Sequence, residues 1–470
     1  MPGVPLATLR SALCAILVLN WLPAFGQTTE FITFDQAKPV LDTYRNELPP
    51  ELKSSSPQAL GAKWPEWVRD RDRQVRERLD QGEEDTLTNL LRYGITFTKQ
   101  PRIEWPILLR YGQDPMATAI AGKRAEDLVR GLASPGNNDH LHTMRAFLRK
   151  KGHSPDTEAG GTALKSYLLR NLGRMQKEYL GYLEERKKFE SSPQDENQWL
   201  DLNSHLYAKR GISLDTDMRP NYAIDSALKT LAAKAIISRG SIRRVAIVGP
   251  GLDFVNKENG TDLYPPQTIQ PFAVIDSLLR LRLADPNRLE VVTYDISSSV
   301  NQHLLHAKQR AAQGTPYTVQ LPYDSAIRWV KGFQLYWENF GGQIGKPAAP
   351  IQVPDAAANL KLRAVQIQPA YVKRITPIDI NVVFQHTDLP VSQQFDLVIG
   401  TNIFVYYGAF EQALTRENLA RMIAPGGILL SNNLLSGISS SRLKEAARVM
   451  VLYSEPNNAE LVFVYRRWNR

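Results

Sequence analysis

Two glycines and three acidic side chains are spaced along the second half of the chain as a nucleotide-type ligand would need them. Gly249 and Gly251 follow the apolar run Val245-Ala246-Ile247-Val248, and Asp253 comes two residues later. Glycines at the carboxyl end of a parallel strand let the backbone turn sharply and leave a ligand room to lie against bare peptide. Asp295 ends the next apolar run, LEVVTY from Leu289 to Tyr294. An acidic side chain in that place can accept both hydroxyls of a ribose. The usual spacing is about 20 residues, and the long Asn256 to Gln267 loop accounts for the excess here. In His386-Thr387-Asp388-Leu389 a polar side chain beside an apolar one can hydrogen-bond an adenine amino group and pack its ring. Asn402, Tyr406 and Tyr407 follow the run FDLVIG, Phe395 to Gly400. An amide or phenol there could orient a carboxylate, hydroxyl or amine.

Each of these features also has a plain structural reading. A strand followed by G-x-G fits a tight turn without a ligand. Asp295 could cap the Ser-rich helix that follows it, and Asp388 could bond its own loop backbone. Tyr406 and Tyr407 could be aromatic packing, and Asp396, at a strand start, reads as structural.

The elements that must carry these residues change character along the chain. From Glu30 to about Gln198 the pattern is helical throughout, with helices expected at Phe34 to Leu48, Trp67 to Leu91, Arg124 to Leu132, Leu141 to Lys151 and Ala163 to Phe189. The longest places Leu164, Tyr167, Leu168, Leu172, Met175, Tyr179, Leu180 and Leu183 on one packing stripe. Ser192 to Asn197 reads as a linker, with helices at Leu200 to Ala208 and Tyr222 to Arg239. The polar segment GISLDTDMRPNY between them is a candidate lid over a ligand.

From Ser241 strands and helices alternate. Expected strands are Val245 to Val248, Leu289 to Tyr294, Ile380 to Gln385, Phe395 to Gly400 and Ile428 to Ser431. Helices are expected at Thr268 to Leu283, Ser299 to Ala312 and Glu411 to Ile423, with a closing strand pair at Ala446 to Tyr453 and Leu461 to Tyr465. The alternation predicts an α/β fold with a doubly wound, mostly parallel sheet. Residues 315–375, rich in aromatics and then in Gly and Pro, read as an insertion packed on the domain, with a position over the site as one option.

The bulk properties narrow the partners. A hydrophobic content of 43% and a charged content of 22% are those of a folded chain, not a disordered one. The formal charge is +9, yet in WVRDRDRQVRERLDQGEED, Trp67 to Asp85, both signs alternate. That argues for solvated helix surface and against a nucleic-acid groove, which needs one sign. Residues 1–26 read as a signal peptide: Arg10 is their only charge, Ser11 to Leu22 is apolar, and Ala24-Phe25-Gly26 supplies a cleavage site before Gln27. An exported protein, periplasmic or secreted, is expected, with an uncleaved anchor as the alternative. No later run is long enough to span a membrane. The single cysteine, Cys14, lies in this segment, so the remainder has no disulfide, thiolate nucleophile or cysteine metal site. His140, His142 and His153 have no metal-site spacing and read as surface residues.

Taken in order, VAIVGPG, VVTYD, HTDL, FDLVIGTN and IAPGGILL resemble the motifs of class I S-adenosylmethionine-dependent methyltransferases over roughly Asp225 to Asn433. The runs YDISSSVNQHLLHAKQRAAQGTPY and FDLVIGTNIFVYYG are similar, in part, to chemoreceptor glutamate methyltransferases. Those enzymes usually carry arginine where this chain has Thr401, and they lack the N-terminal helical region. The resemblance implies a Rossmann-like sheet of class I methyltransferase type after an all-α domain: a helical domain over 27–198 and the sheet domain over 199–470. It implies S-adenosyl-L-methionine as cofactor, held by Gly249, Gly251, Asp253, Asp295, Ile296, Asp388, Leu389 and Thr401, with Asp253 toward the ammonium group. Asn402, Tyr406 and Tyr407 would stand at the methyl acceptor, whose identity stays open; a protein carboxylate or a small molecule both fit. The missing N-P-P-Y signature argues against adenine or glutamine amide methylation. Two other readings remain: an exported binding protein that keeps the fold without turnover, and, less well matched, a nicotinamide-dependent oxidoreductase.

Overall fold

The computed structural model describes residues 28–53, 56–190, 207, 211–213, 216–255 and 262–468. The expected signal segment with Cys14, the Ser192 to Asn197 linker and most of the Leu200 to Ala208 helix lie outside them. Numbering only helices of nine or more residues, the N-terminal half contains α1 (Phe34–Thr43), α2 (Pro57–Tyr93), α3 (Pro115–Ala133), α4 (Asp139–Lys150) and α5 (Glu158–Glu190). Caps fix where several begin. The Thr33 hydroxyl and the Gln36 side chain close a capping box on α1, and Asp114 and Asn138 cap α3 and α4.

A seven-stranded sheet follows, built from β2 (Arg244–Val248), β3 (Glu290–Asp295), β7 (Ile375–Asp379), β9 (Phe395–Gly400), β10 (Ile423–Ser431), β11 (Leu443–Ser454) and β12 (Asn458–Arg467). Its order is β11-β12-β10-β9-β2-β3-β7. The strands from β10 to β7 are parallel, and β12 runs antiparallel to both neighbours. The chain winds outward from β2 through β3 to β7, then restarts on the other side at β9, so the order reverses between β2 and β9. Alternate residues of the central strands enter opposite cores: Val245, Ile247, Leu397 and Ile399 one, Ala246, Val248, Val398 and Leu429 the other. Helices α6 (Met218–Ala233), α7 (Gln270–Arg280), α8 (Ser298–Ala312) and α10 (Ala409–Met422) cover the faces. The result is a Rossmann-like, doubly wound sheet, as the alternation of strands and helices predicts.

Residues 315–375 hold β4 (Tyr317–Asp324), α9 (Lys331–Asn339), β5 (Gly345–Ala348) and β6 (Leu360–Ile367), with the three strands in a separate antiparallel sheet. Tyr317, Val319, Leu321, Phe333 and Tyr336 pack into the core shared with α6 and α7. The insertion therefore lies against one face of the sheet and contributes nothing to the cavity at its carboxyl edge.

Several expectations need correction. Ile380 to Gln385 is not a strand: the third parallel strand is the preceding ITPID, β7, and Asn381 to Phe384 turn back on themselves. Pro377 inside β7 hid it, yet β7 is an edge strand bonded on one side only, where proline is tolerated. The N-terminal half is not purely helical, since β1 (Thr29–Phe31) pairs antiparallel with β8 (Gln385–Thr387). The α5 stripe packs through Leu164, Leu168 and Leu172, but Leu180 beyond it is 40% exposed. His140 is no surface residue; it is buried, and its Nε2 donates to the Phe254 carbonyl at 2.6 Å.

The helices are joined to the sheet by shared cores. Ile32, Val40, Trp64, Trp67 and Val75 pack with Phe384, Tyr406, Tyr407 and Phe410. Trp64 stacks on Trp67 with ring centroids 5.1 Å apart, and Trp67 meets Phe384 and Phe410 at 6.0 Å. A second core encloses Phe254 and Val255, just past the glycine turn, among Leu87, Leu128 and Phe147 of the helices.

Candidate functional site

A cavity of about 590 Å³ opens at the carboxyl ends of the parallel strands. Its floor comes from successive strand ends: Val248, Gly249 and Gly251 after β2, Tyr294, Asp295 and Ile296 after β3, Ile380 to Val382 after β7, Thr401 to Ile403 after β9, and Asn433 and Leu434 after β10. That is the crevice a doubly wound sheet leaves where its strand order reverses. Gly249 and Gly251 have φ of 63° and 70°, left-handed values that favour glycine. A Cβ on Gly249 would overlap Ile403 Cδ1, so this turn also lets the loop after β9 close in.

Asp295 sits in the floor with 7% of its surface exposed. Ser297 N donates to its Oδ1 at 2.8 Å, and the amides of Gly251 and Ile296 also face it. Among the described residues no ion pair is formed with it, and burial pushes its carboxyl up to about 7 despite those amides; Asp379 nearby adds to the rise. An acceptor pair held by backbone amides and buried suits a ligand that brings hydroxyl donors. The capping role falls to Ser297, whose hydroxyl accepts from Val300 N.

The roof is α2. Leu79 lines the cavity, along with Tyr207, Ile212, Ser213 and Thr216 from the segment before α6. Gly82 lets that segment cross: a side chain there would strike the Ile212 carbonyl. In the charged stretch Trp67 to Asp85, expected on solvated surface, Arg69, Arg73, Glu77 and Asp80 are exposed, whereas Arg71, Asp72, Arg76 and Arg78 tie α2 to the strand ends. Arg76 pairs with Asp379 at 2.7 Å and with Asp72 at 3.1 Å, and its Nη1 donates to the Ile296 carbonyl at 3.3 Å. Asp72 Oδ1 accepts from Asn381 Nδ2 at 2.8 Å. Arg71 pairs with Glu411, and Arg78 donates to the carbonyls of Tyr406 and Tyr207.

Of the residues singled out from sequence, Gly249, Gly251, Asp295, Ile296, Thr401, Asn402, Tyr406 and Tyr407 meet around this one cavity. Thr401 Oγ1 accepts from Gln270 Nε2 at 2.8 Å. Tyr406 accepts from Ser213 N through its hydroxyl at 3.3 Å and meets Tyr207 edge-on at 5.9 Å. Burial raises the Tyr407 phenol above its ordinary value. Three residues do not join the site. Asp253 is buried to one side, its Oδ2 accepting from Tyr264 Oη at 2.9 Å and Gln267 Nε2 at 3.1 Å, so it fastens the loop instead of facing a ligand. Asp388 is exposed and Leu389 is in the core beneath the sheet, because β8 turns away to pair with β1. Their place is taken by Ile380, Asn381 and Val382, which with Ile296 and Leu79 frame an apolar slot. Sequence reasoning missed these and Asn433, with the shifted β7 and the glycine inside α2 as the available signals, whereas Ile212, Ser213, Thr216 and Arg219 belong to the candidate lid segment GISLDTDMRPNY and line the cavity.

Among the described residues no group of three or more His, Cys, Asp or Glu is placed to hold a metal ion, and no helix is long and apolar enough to cross a membrane. No protein-family model and no curated protein matches the sequence. Among solved structures, the chain is similar to the N-methyltransferase NodS from Bradyrhizobium japonicum WM9, at 11% identity over 52% of this chain and 95% of that one, with a TM-score of 0.25. It is similar to magnesium protoporphyrin IX methyltransferase (ChlM) from Synechocystis PCC 6803 with bound SAM, at 12% identity over 61% and 90%, TM-score 0.25. It is also similar to MtNAS in complex with MTA and tNA, at 11% identity over 73% and 96%, TM-score 0.24.

Proposed function

We propose that the chain is an S-adenosylmethionine-dependent methyltransferase whose cavity binds the adenosyl end of the cofactor on Asp295 and the methyl acceptor beside Tyr406 and Tyr407. The observation that carries this reading is Asp295: a buried carboxylate with no ion-pair partner among the described residues, at the end of the strand next to the glycine turn, inside the crevice of a doubly wound sheet. The residues fit the cofactor. Asp295 accepts the ribose hydroxyls, the slot of Ile296, Ile380, Val382 and Leu79 takes a flat base, and Asn433 Oδ1, buried in the wall without a hydrogen-bond partner, can accept from an ammonium group.

The cofactor supplies a methyl group already activated on a sulfonium. The chain's own work is then to position the partners and keep water out. Tyr406 is fixed by Ser213 and Tyr207, and α2 roofs the reacting volume through Leu79. Tyr407, with its phenol raised, stays protonated at neutral pH and orients an acceptor by donating; it does not act as a base. The enclosed volume favours a small molecule or an extended side chain as acceptor over a folded surface.

The test is calorimetric titration of the chain from Gln27 with S-adenosylmethionine, S-adenosylhomocysteine and NAD. Binding of the first two and not the third is expected. Heat with none of them, or with NAD alone, overturns the reading.

A further inference from the structure

Asn402, two residues past β9, has φ of 60°, and its side chain belongs to a chain of bonds that leads away from the cavity. Its backbone N donates to Asn432 Oδ1 at 2.8 Å. A backbone N–H can only donate, so the Asn432 oxygen must face it, and the Asn432 Nδ2 is the donor on the other side. That nitrogen reaches Asn402 Oδ1 at 2.6 Å and Glu460 Oε1 at 2.7 Å. Glu460, half-buried on β12, holds this orientation from outside, with Asp217 and Arg219 as its charged neighbours. The Asn402 oxygen is therefore engaged by Asn432, and what Asn402 can offer the cavity is its Nδ2 with two protons. Asn432 and Glu460 do not line the cavity, whereas Asn402 and Arg219 do.

We infer that Asn432 and Glu460 are positioning residues that fix the Asn402 amide as a donor, and that this donor reads the amino-acid carboxylate of an S-adenosyl ligand. The inference rests on the proposed methyl-donor site. β3 and β9 flank β2 on either side, so the Asp295 and Asn402 ends lie about 10 Å apart, two strand spacings. A ribose held at one end places the amino-acid end of a thioether chain near the other. A carboxylate has acceptors only, which match the Asn402 protons; an ammonium group has donors only and does not. Asn402 is thereby a ligand-anchoring residue and leaves the acceptor to Tyr406 and Tyr407.

The relay can be inverted without changing net charge by the double variant Asn432→Asp, Glu460→Gln. The new carboxylate at position 432 accepts from the Asn402 backbone and from Asn402 Nδ2, and the new amide at 460 donates to it, so Asn402 turns its oxygen to the cavity. Titrations of the full chain compare S-adenosylhomocysteine with 5′-methylthioadenosine, which lacks the amino-acid end. The double variant is expected to bind S-adenosylhomocysteine about tenfold more weakly and 5′-methylthioadenosine within about twofold of the parent. Asn402→Gly, which keeps the positive φ and removes the amide, shows the same selectivity with a smaller loss, about threefold, and decides the matter if the double variant unfolds. Equal losses for both nucleosides, or no loss for S-adenosylhomocysteine, overturns the inference. A folded parent chain that binds neither nucleoside overturns the methyl-donor reading itself.

Discussion

Asn381 Nδ2 donates to Asp72 Oδ1 at 2.8 Å, a buried bond between the turn after β7 and the middle of α2. Asn381 Oδ1 accepts from Val383 N, and Asp72 Oδ2 accepts from Arg76, so one carboxylate fastens the roof to the floor. Asp72→Ala strands the Asn381 amide and removes an acceptor from Arg76. A loss of about 1–3 kcal/mol in unfolding free energy is expected from urea melts. A change below about 0.5 kcal/mol would show that the roof is held elsewhere.

Gly249 carries both a positive φ and the close approach of Ile403. Gly249→Ala should destabilise by about 1–2 kcal/mol from the left-handed backbone alone, with further loss from the overlap with Ile403. In the double variant with Ile403→Ala, the overlap is relieved and the backbone part remains. Thermal melts of the two single variants and the double variant should therefore be non-additive; strict additivity would mean that Ile403 does not press on the turn.

The Asp295 carboxyl, raised from 3.8 to about 7 by burial, gives a signed pH dependence. The folded chain binds this proton more tightly than the unfolded one, so the contribution of Asp295 to stability falls as pH rises from about 4 to about 7 and is flat above. Ligand hydroxyls that donate to the ionised carboxylate oppose the rise. Affinity for an adenosyl ligand should then increase with pH up to about 7, with protons released on binding below it. Calorimetry at pH 6 in buffers of different ionisation enthalpy measures that release. It should vanish in Asp295→Asn; proton uptake on binding by the parent would contradict the assignment.

Trp64 is fully buried, and its Nε1 donates to the Ile32 carbonyl at 2.8 Å. Trp64→Ala should destabilise by about 3–5 kcal/mol. Because its core includes Phe384, Tyr406 and Phe410, the loss should appear in one cooperative transition seen equally by helical and sheet probes. Two separate transitions, with only the helical one shifted, would show that the two regions unfold independently.

The central strands were legible because each is a short apolar run ended by glycine or aspartate, and buried parallel strands must be written that way. Asp295 was legible for the same reason: its place at the end of β3 follows from the run before it. What stayed hidden depends on contacts between distant segments. The alternation of charges along Trp67 to Asp85 looks the same on a solvated helix as on one whose Asp72 and Arg76 are bonded to Asn381 and Asp379. Asp388 looked like a site residue because β7, interrupted by Pro377, was assigned one segment late, which moved the strand end from Asp379 into the β8 region. Asn432 and Glu460 carry no local motif and come together only through the pairing of β10 with β12.

The account stands on Asp295 as the ribose acceptor of an adenosyl ligand. The direct measurement is the dissociation constant of S-adenosylhomocysteine at pH 8 for the parent chain and for Asp295→Ala, each shown to be folded by circular dichroism. Loss of two charge-assisted hydrogen bonds should weaken binding at least about tenfold. Equal affinities, or a folded parent chain that does not bind, would contradict it.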